Sequence, residues 1–310
     1  MSLPLQRRLI SIRDLAHVGL LLVLALPAWF MPRTTWLTWG KAIGKLIRFQ
    51  GRGRLERIRQ AMGDAIGERD AVRIDEAITA EGVLARIYLL HEYRIGARPP
   101  ALELVGAEHI DAALARGHGA ILWVTPFCSA DLMTKRAIHE AGYVLTHLSR
   151  PEHGGGPTRL GVRLLSPVYQ TIENRFLGRR LLLRGSGGAA LRQLVAALSE
   201  NALVSIAALE TAARTVRVPF LASSILLARG PVALARRSRA PLLPVFTVRP
   251  GPNRFQVTVL PPLTFDDADA AAPFAQYARA LQERVRTYPG QWAGWRSVAG
   301  LERSPGAPAA

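Results

Sequence analysis

The sequence predicts an α/β protein in which a mixed, largely parallel sheet is flanked by helices and preceded by an N-terminal membrane-anchoring helix and a helical lead-in. From residue 102 onward, short apolar runs alternate with helical patterns, an order that is typical of a sheet with helices on both faces. The 310-residue chain is long enough to bury a large core. Its 49% hydrophobic and 20% charged residues indicate a folded protein rather than a disordered one.

An apolar segment at residues 15–31 is predicted to attach the chain to a membrane. Basic residues flank it on both sides, and Trp29, Phe30 and Trp36 resemble an interfacial aromatic belt. The segment is short for a spanning helix and contains Pro27, so a spanning helix and a deeply interfacial helix both remain open. A signal peptide and a buried core helix are the alternatives.

The helical lead-in is predicted from residues 70–93, where apolar side chains recur near 3.6-residue spacing. Pro99 and Pro100 mark a linker into the main domain. The predicted divisions of the chain are a membrane anchor at 1–38, a helical lead-in at 39–98, an α/β domain at 99–303 and a disordered tail at 304–310.

In the α/β domain, each strand is predicted from a short apolar run and each helix from a helical pattern between two such runs. The predicted strands are 102–105, 120–124, 143–148, 170–172, 203–209, 242–248 and 255–260. The predicted helices are 107–116, 131–141, 158–170, 187–199, 229–238 and 273–287. This alternation gives the sheet its expected parallel character.

The net charge of +17 indicates a partner with negative charge. Arginine supplies nearly all of the positive charge, because only three residues are lysine, and its planar side chain binds phosphate and carboxylate in bidentate fashion. An anionic lipid surface and an acidic protein or substrate both fit this charge. The chain lacks the motifs of nucleic-acid-binding modules, which argues against nucleic acid as a partner. A general compositional bias toward arginine is the alternative explanation.

The most informative segment is residues 117–131, with the sequence GHGAILWVTPFCSAD. Its apolar run is predicted to be a buried strand that delivers a polar loop to the start of a helix, which is where α/β proteins commonly place their chemistry. The loop holds the only cysteine, Cys128, so an internal disulfide is excluded. We interpret Cys128 as a buried, inert thiol, because the sequence offers it no partner base.

Several segments, taken in their order and spacing, resemble the late lipid A acyltransferases of the lysophospholipid acyltransferase superfamily. The resemblance covers residues 10–300 and includes the helix and strand that lead into the loop described above. Further matching segments are Leu-Ser-Arg-Pro at 148–151, a helix, turn and strand at 191–208, Val-Pro-Phe-Leu at 218–221, a glycine-opened helix at 230–236, a proline-bearing strand at 240–246 and a closing tryptophan-rich segment at 288–296.

The resemblance implies transfer of a fatty acyl chain from a carrier thioester to a lipid hydroxyl. The implied donor is an acyl carrier protein or acyl-CoA, and the implied acceptor is a lipid A precursor or another membrane lipid. The resemblance also implies that the protein works at the cytoplasmic face of the cell inner membrane, with no cofactor and no metal.

The residue that serves this family as catalytic base is replaced in this chain. At the strand end the family carries a His, four residues, and then Asp or Glu; here Asp131 matches the acidic position, but Pro126 occupies the histidine position. Proline has no titratable group and cannot take a proton from a hydroxyl. The His-x4-acid spacing recurs at His147 and Glu152. His147 is therefore a possible substitute base, and either His147 or His153 is expected to approach Asp131 if the strand ends converge.

Three residues are predicted to bind substrate. Arg150 directly follows a predicted strand, Arg163 lies a short interval further on, and Glu210 lies near the family's acidic position after the strand at 203–209. The acidic motif around Glu210 is thinned, and Gly290 replaces the acid that precedes the family's closing Gln. These departures leave a second interpretation open, in which the chain is a catalytically silent relative that binds lipid or an acyl carrier.

Overall fold

The structure is a computed structural model that describes residues 8–47, 52–63, 67–183, 187–208, 214–266 and 269–299. The strands are β1 (Ala101–Val105), β2 (Ala120–Val124), β3 (Leu145–Ser149), β4 (Arg179–Leu182), β5 (Leu203–Ala207), β6 (Thr215–Phe220), β7 (Ser223–Ala228), β8 (Leu242–Gly251), β9 (Arg254–Val259) and β10 (Val298–Ala299). The helices are α1 (Ile12–Phe30), α2 (Trp36–Ile47), α3 (Arg52–Met62), α4 (Glu68–His91), α5 (Ala107–Leu114), α6 (Ala130–Glu140), α7 (Ser166–Asn174), α8 (Gly188–Ser199), α9 (Gly230–Ser238) and α10 (Ala272–Thr287). A π-helical turn spans Gly161–Leu165, and 3-10 turns span Arg33–Thr35, Pro289–Gln291 and Gly294–Ser297.

A seven-stranded mixed sheet in the order β1-β9-β8-β2-β5-β3-β4 lies at the centre of the fold. Strands β8, β2, β5, β3 and β4 run parallel to one another, whereas β9 is antiparallel to β8 and β1 is parallel to β9. Every residue of β2 is buried, as expected for a parallel strand that is covered on both faces. The predicted α/β fold with a mixed, largely parallel sheet is therefore confirmed.

One predicted strand is wrong. Residues 170–172 lie inside helix α7, and the edge strand on that side of the sheet is β4. Pro167 is in the first turn of α7, where proline is well tolerated, and Ile172 and Glu173 are buried on the inward face of the helix. Ile172, the one apolar residue of the predicted strand, therefore belongs to the buried face of a helix.

A second sheet, β10-β7-β6, is antiparallel and is missing from the sequence-based expectations. Strands β6 and β7 form a hairpin whose two-residue turn is Leu221-Ala222, between the paired residues Phe220 and Ser223. Leu221 has a φ of 53°, a left-handed conformation that glycine or asparagine usually adopts in such turns. Because neither residue is present, the sequence contains no hairpin signal at this point.

Helix α4 is the centre of the helical lead-in and packs against α1, α2 and α3. Glycine allows α2 to approach it closely, since a Cβ at Gly40 would lie 2.9 Å from the carbonyl oxygen of Ala80. Ile74 and Ile78 of α4 join the main core beneath the sheet, whereas Val83 and later residues join a second apolar cluster with α1. The lead-in therefore shares buried surface with both the sheet and α1.

Helix α1 is tied to the segment that follows β3. The Asp14 carboxylate accepts a hydrogen bond from the Thr158 hydroxyl at 2.9 Å. In addition, the carbonyl groups of Arg8 and Leu9 accept hydrogen bonds from the amides of Arg159 and Leu160. The N-terminal end of α1 is therefore joined to the loop between β3 and α7.

The two faces of α1 differ in exposure. The inner face includes Leu21, Leu24 and Ala28, which are buried, whereas the outer face is exposed and almost wholly apolar. The large side chains of this exposed stripe are Ile12, Leu15, Leu22, Val23, Leu26, Trp29 and Phe30. By length and composition alone, α1 could cross a membrane.

Candidate active site

The loop after β2 is held by the C-terminal part of the chain. The Pro126 carbonyl accepts a hydrogen bond from the Ala293 amide at 2.8 Å, and the Cys128 amide donates one to the Gln291 carbonyl at 2.7 Å. These two bonds fix the loop at the carboxyl end of β2, where Pro126 and Cys128 lie. The segment at 288–296 therefore packs directly on the loop that holds Pro126.

Pro126 and Asp131, the two positions that the sequence pattern singles out, do not form a catalytic pair in the structure. Pro126 is partly buried and borders a small apolar pocket together with Tyr277 and Trp292. Asp131 lies in the first turn of α6 with a side chain that is 64% exposed, and its nearest charged partner is the Nζ atom of Lys135 at 4.0 Å. In the described part of the chain, no imidazole is hydrogen-bonded to Asp131.

A buried ionic cluster lies beside Asp131, and Glu173 of α7 is at its centre. The Oε2 atom of Glu173 accepts hydrogen bonds from Lys135 Nζ at 2.8 Å and from Arg180 Nη2 at 2.7 Å. Its Oε1 atom lies 2.8 Å from the Nε2 atom of His153. The side chains of Glu173 and Lys135 are 1% and 3% exposed, and that of His153 is 21% exposed. We call Lys135, His153, Glu173 and Arg180 the Glu173 cluster.

Opposite charges shift the pKa values within this cluster. Burial alone would raise the pKa of Glu173, but Lys135, His153 and Arg180 outweigh burial and hold that pKa well below its ordinary value. Burial alone would lower the pKa of His153, but the carboxylates of Asp131 and Glu173 outweigh burial and Lys135, and they raise that pKa above its ordinary value. The pKa of the His153 imidazole is therefore raised in part by the charge of Asp131.

The other candidate base, His147, lies within β3 and is buried. Its Nδ1 atom is 2.8 Å from the hydroxyl of Ser205 on the adjacent strand β5. Burial, together with the nearby charge of Lys135, holds the pKa of His147 well below its ordinary value. His147 is therefore a neutral imidazole in the interior at neutral pH, and its assignment as a base stays a prediction.

Three consecutive glycines after His153 allow its loop to pack closely on α7. Gly154 has a φ of +80°, and a Cβ at this position would lie 2.3 Å from the ring of Tyr169. A Cβ at Gly155 would lie 2.2 Å from the carbonyl oxygen of Gly161. Only glycine fits so near other atoms, so the glycine run at 154–156 is the sequence signal that identifies this loop as closely packed.

The remaining predicted substrate-binding residues lie in the segment that follows β3 or outside the described residues. Arg150, directly after β3, is partly buried and has its Nη1 atom 3.8 Å from the Glu152 carboxylate. Arg163 is exposed on the π-helical turn. Glu210 lies outside the described residues.

For Cys128, burial raises the pKa of the thiol to about 12, which agrees with the interpretation of an inert thiol.

The arrangement at this edge is suited to proton transfer during acyl transfer. An imidazole that is backed by a carboxylate can take a proton from a hydroxyl, because the carboxylate orients the ring and stabilises the imidazolium that forms. His153 lies in the loop after β3, at the carboxyl end of a parallel strand, where α/β proteins commonly bind their ligands, and Glu173 reaches it from α7. The fold and this pair are therefore compatible with a protein that catalyses acyl transfer.

The family comparison defines the class more narrowly. A family model described as bacterial lipid A biosynthesis acyltransferase matches residues 6–295, which is nearly the whole chain. The protein therefore belongs to this family, and the predicted family resemblance is confirmed. Membership supports an acyltransferase function in lipid A biosynthesis, with a lipid substrate and an acyl donor. No curated protein matches the chain.

Proposed function

We propose that the protein transfers a fatty acyl chain from a carrier thioester to a hydroxyl of a membrane lipid, and that it does so with a base other than the residue at position 126. The family match over residues 6–295 carries this proposal. Pro126 requires the second part, because a proline side chain cannot accept a proton. Asp131 alone is a weak base, since the usual pKa of an aspartate is about 3.9.

The proposed partners carry negative charge. An acyl carrier protein is acidic, and a lipid A precursor carries phosphate, so both complement a chain with a net charge of +17. We assign phosphate binding to Arg150 and Arg163, because both lie on the segment that follows β3, near the proposed catalytic edge. Acyl-CoA, which also carries phosphate, is the alternative donor. We propose Glu210 as a substrate-contacting residue from its family position alone.

A second candidate function is a catalytically silent relative that binds lipid or an acyl carrier. In its favour, the resemblance implies a histidine where the chain has Pro126, and Asp131 has no hydrogen-bonded imidazole among the described residues. Such a protein would keep the charged surface and the membrane-facing helix without turnover. The two candidates therefore differ in one measurable property, which is the formation of an acylated lipid.

The test uses full-length protein in detergent or vesicles, with an acyl carrier thioester, acyl-CoA and a lipid A precursor as substrates. We expect thiol release coupled to formation of the acylated lipid. We also expect Arg150→Ala to raise the KM for the phosphorylated acceptor about tenfold, since a charge-assisted hydrogen bond is worth about 1.5–3 kcal/mol. Arg279→Ala, an exposed arginine on α10, is the control and should leave the KM unchanged. Binding of both substrates without turnover would favour the silent relative.

We propose further that α1 lies in the plane of the membrane surface rather than across the bilayer. Its inner face is packed on α4, so this face is not available to lipid. The exposed stripe of α1 is apolar over about five turns. A helix that shows lipid only one apolar face, while the protein covers the other, is suited to insertion into the membrane interface. The family's role in lipid A biosynthesis supports the cytoplasmic face of the inner membrane as the location.

We expect the double variant Leu22→Glu/Leu26→Glu to bind anionic vesicles at least about 100-fold more weakly than the wild type. Each leucine contributes about 1.5–3 kcal/mol when it leaves water, and each factor of ten corresponds to about 1.4 kcal/mol. The measurement is vesicle co-sedimentation at low and high salt. The matched control is Val144→Glu/Leu191→Glu, two exposed apolar residues away from α1. Equal loss in both variants would contradict a specific membrane-binding role of α1.

A further inference from the structure

We propose that His153 is the general base that position 126 no longer supplies, and that Glu173 is the positioning residue that orients its ring. This inference rests on the proposed acyl-transfer function. It assigns the proton transfer to an imidazole in the loop after β3 instead of the loop after β2. It also assigns a role to the buried Glu173 cluster, which no part of the family pattern in the sequence explains.

The hydrogen bond between His153 and Glu173 defines which ring nitrogen is available. A carboxylate only accepts hydrogen bonds, so the Nε2 atom of His153, which is 2.8 Å from Glu173 Oε1, carries the hydrogen. In the neutral ring, the lone pair is then on Nδ1, and this atom can accept a proton. An acid that fixes the tautomer of an imidazole in this way is the usual partner of a histidine base.

Exposure distinguishes His153 from the other candidate. The side chain of His153 is 21% exposed, so part of it meets solvent at the surface of the protein. His147 is buried within β3, and one of its nitrogens is already bound to Ser205. A base must come within hydrogen-bond distance of the proton that it takes, so burial counts against His147 and favours His153.

The packing of α6 explains how His153 comes near Asp131, although the strands that precede them, β3 and β2, are not neighbours in the sheet. Strand β5 lies between β2 and β3. However, α6 carries Asp131 in its first turn and packs against both β3 and α7, which brings its first turns beside the Glu173 cluster. The retained Asp131 therefore acts on an imidazole that is supplied by a different loop.

The charged groups around His153 favour its protonated form. Asp131 and Lys135 face it from α6, Glu173 from α7 and Arg180 from β4, and His147 lies within β3 beneath it. The two carboxylates raise the pKa of His153 above its ordinary value. An imidazole with a raised pKa is a stronger base, but it acts only at a pH where the neutral form is present. We therefore expect the rate to rise with pH through a pKa above about 6.5.

The proposed step is balanced without a further reactant. The Nδ1 atom of His153 takes the proton of the acceptor hydroxyl while the hydroxyl oxygen bonds to the thioester carbonyl carbon. The carbon–sulfur bond then breaks, and its electron pair leaves with the sulfur. The imidazolium returns its proton to the thiolate. The products are an ester and a free thiol, and His153 ends as the neutral imidazole with which it began.

The test compares His153→Gln, His147→Gln and the control His139→Gln in full-length protein in vesicles. His139 is exposed near the end of α6, so its replacement should leave activity unchanged. We expect His153→Gln to lower kcat by about 10²- to 10⁴-fold, the usual contribution of a general base, with little change in KM. Gln can still donate to Glu173, and equal thermal melting of wild type and variant shows that the fold is kept.

A second measurement separates chemistry from structure. We expect added imidazole to restore part of the rate in His153→Ala and to have no effect on His139→Ala. We also expect the rate of the wild type to rise with pH above pH 6.5, and we expect this rise to be absent from the pH profiles of the His153 variants. Rescue and loss of this rise together would support a base rather than a structural residue.

The outcomes separate failure of this inference from failure of the proposed function. An active wild type whose kcat is unchanged in His153→Gln overturns the inference and leaves the acyltransferase function intact. Loss of kcat in His147→Gln alone overturns it in favour of the buried imidazole. A wild type that binds both substrates but forms no acylated lipid overturns the proposed function, and the assignment of His153 with it.

Discussion

Replacing Glu173 with Gln is expected to lower the free energy of unfolding by about 3–5 kcal/mol, because it leaves buried cations without a counter-charge. Lys135 and Arg180 both pair with Glu173, and their side chains are 3% and 8% exposed. The amide that replaces the carboxylate keeps one acceptor oxygen, but its NH2 group faces side chains that are themselves donors. Urea-induced unfolding, followed by circular dichroism, measures the change.

The matched control is Glu103→Gln on β1. Its partner Arg254 lies 3.1 Å away, but the two side chains are 62% and 42% exposed for the arginine and the glutamate, respectively. Exposed ion pairs contribute about 0–1 kcal/mol, so the control should lose at most about 1 kcal/mol. A similar loss in the two variants would mean that the Glu173 cluster is not the stabilising centre that its burial indicates.

The pH dependence of this contribution follows from the direction of the shift. The pKa of Glu173 is held well below its ordinary value, so its ion pairs stabilise the protein at every pH above the unfolded value of about 4.3. That contribution is lost as the pH falls through the folded-state pKa. The difference in stability between the wild type and Glu173→Gln should therefore narrow in acid. For His153, whose pKa is raised, the contribution is present below about pH 6.5 and is lost as pH rises through its folded-state pKa.

A second large effect is expected when an imidazole is returned to position 126. In the His153→Gln background, Pro126→His should raise kcat about 10- to 100-fold, because it restores the family's spacing to Asp131. A general base typically raises the rate by about 10²- to 10⁴-fold, but a displacement of the base by about 1 Å can lower the rate by about 10²-fold. Position 126 borders an apolar pocket with Tyr277 and Trp292, and this setting limits the gain.

Two controls define this gain. Adding Asp131→Asn to the double variant should remove it, since the imidazole then loses its carboxylate partner. Pro126→His alone, in a wild type that already turns over, should change kcat less than it does in the His153→Gln background. If the wild type is inactive and Pro126→His alone creates activity, the chain is the silent relative that the substitution first suggested.

The sequence predicts the core strands well because burial on both faces requires continuous apolar runs. Strand β2 is such a run, and it was located to the residue. The sequence does not predict the hairpin of β6 and β7. Leu221 adopts a positive φ in its turn, but neither turn residue is a glycine or asparagine that would indicate a turn. The edge strand β4 is short and begins with two arginines, so it lacks an apolar run.

The proposed site could be predicted only in part. The choice of Asp131 and Pro126 follows from the spacing that the resemblance implies. The contact of Lys135 with Glu173 joins residues 38 positions apart, and each of them looks like an ordinary helix-surface charge in the sequence. One signal was present in the composition. Lys135 is the only lysine after Lys45 in a chain that otherwise uses arginine. Lys135 is buried, and its compact ammonium group differs from a guanidinium in shape and donor geometry.

The hydrogen bonds between α1 and the loop after β3 have a practical consequence for preparing this protein. Removing α1 to gain solubility would delete the carboxylate of Asp14 that holds Thr158 and the two carbonyl groups that bind the amides of Arg159 and Leu160. Those three residues follow the glycine run that positions His153. A truncated protein would therefore lack contacts that hold the loop of the proposed base. Low activity of the truncated protein would then be mistaken for a property of the full-length protein. Detergent or vesicles that keep α1 in place preserve the geometry that matters for measuring the reaction.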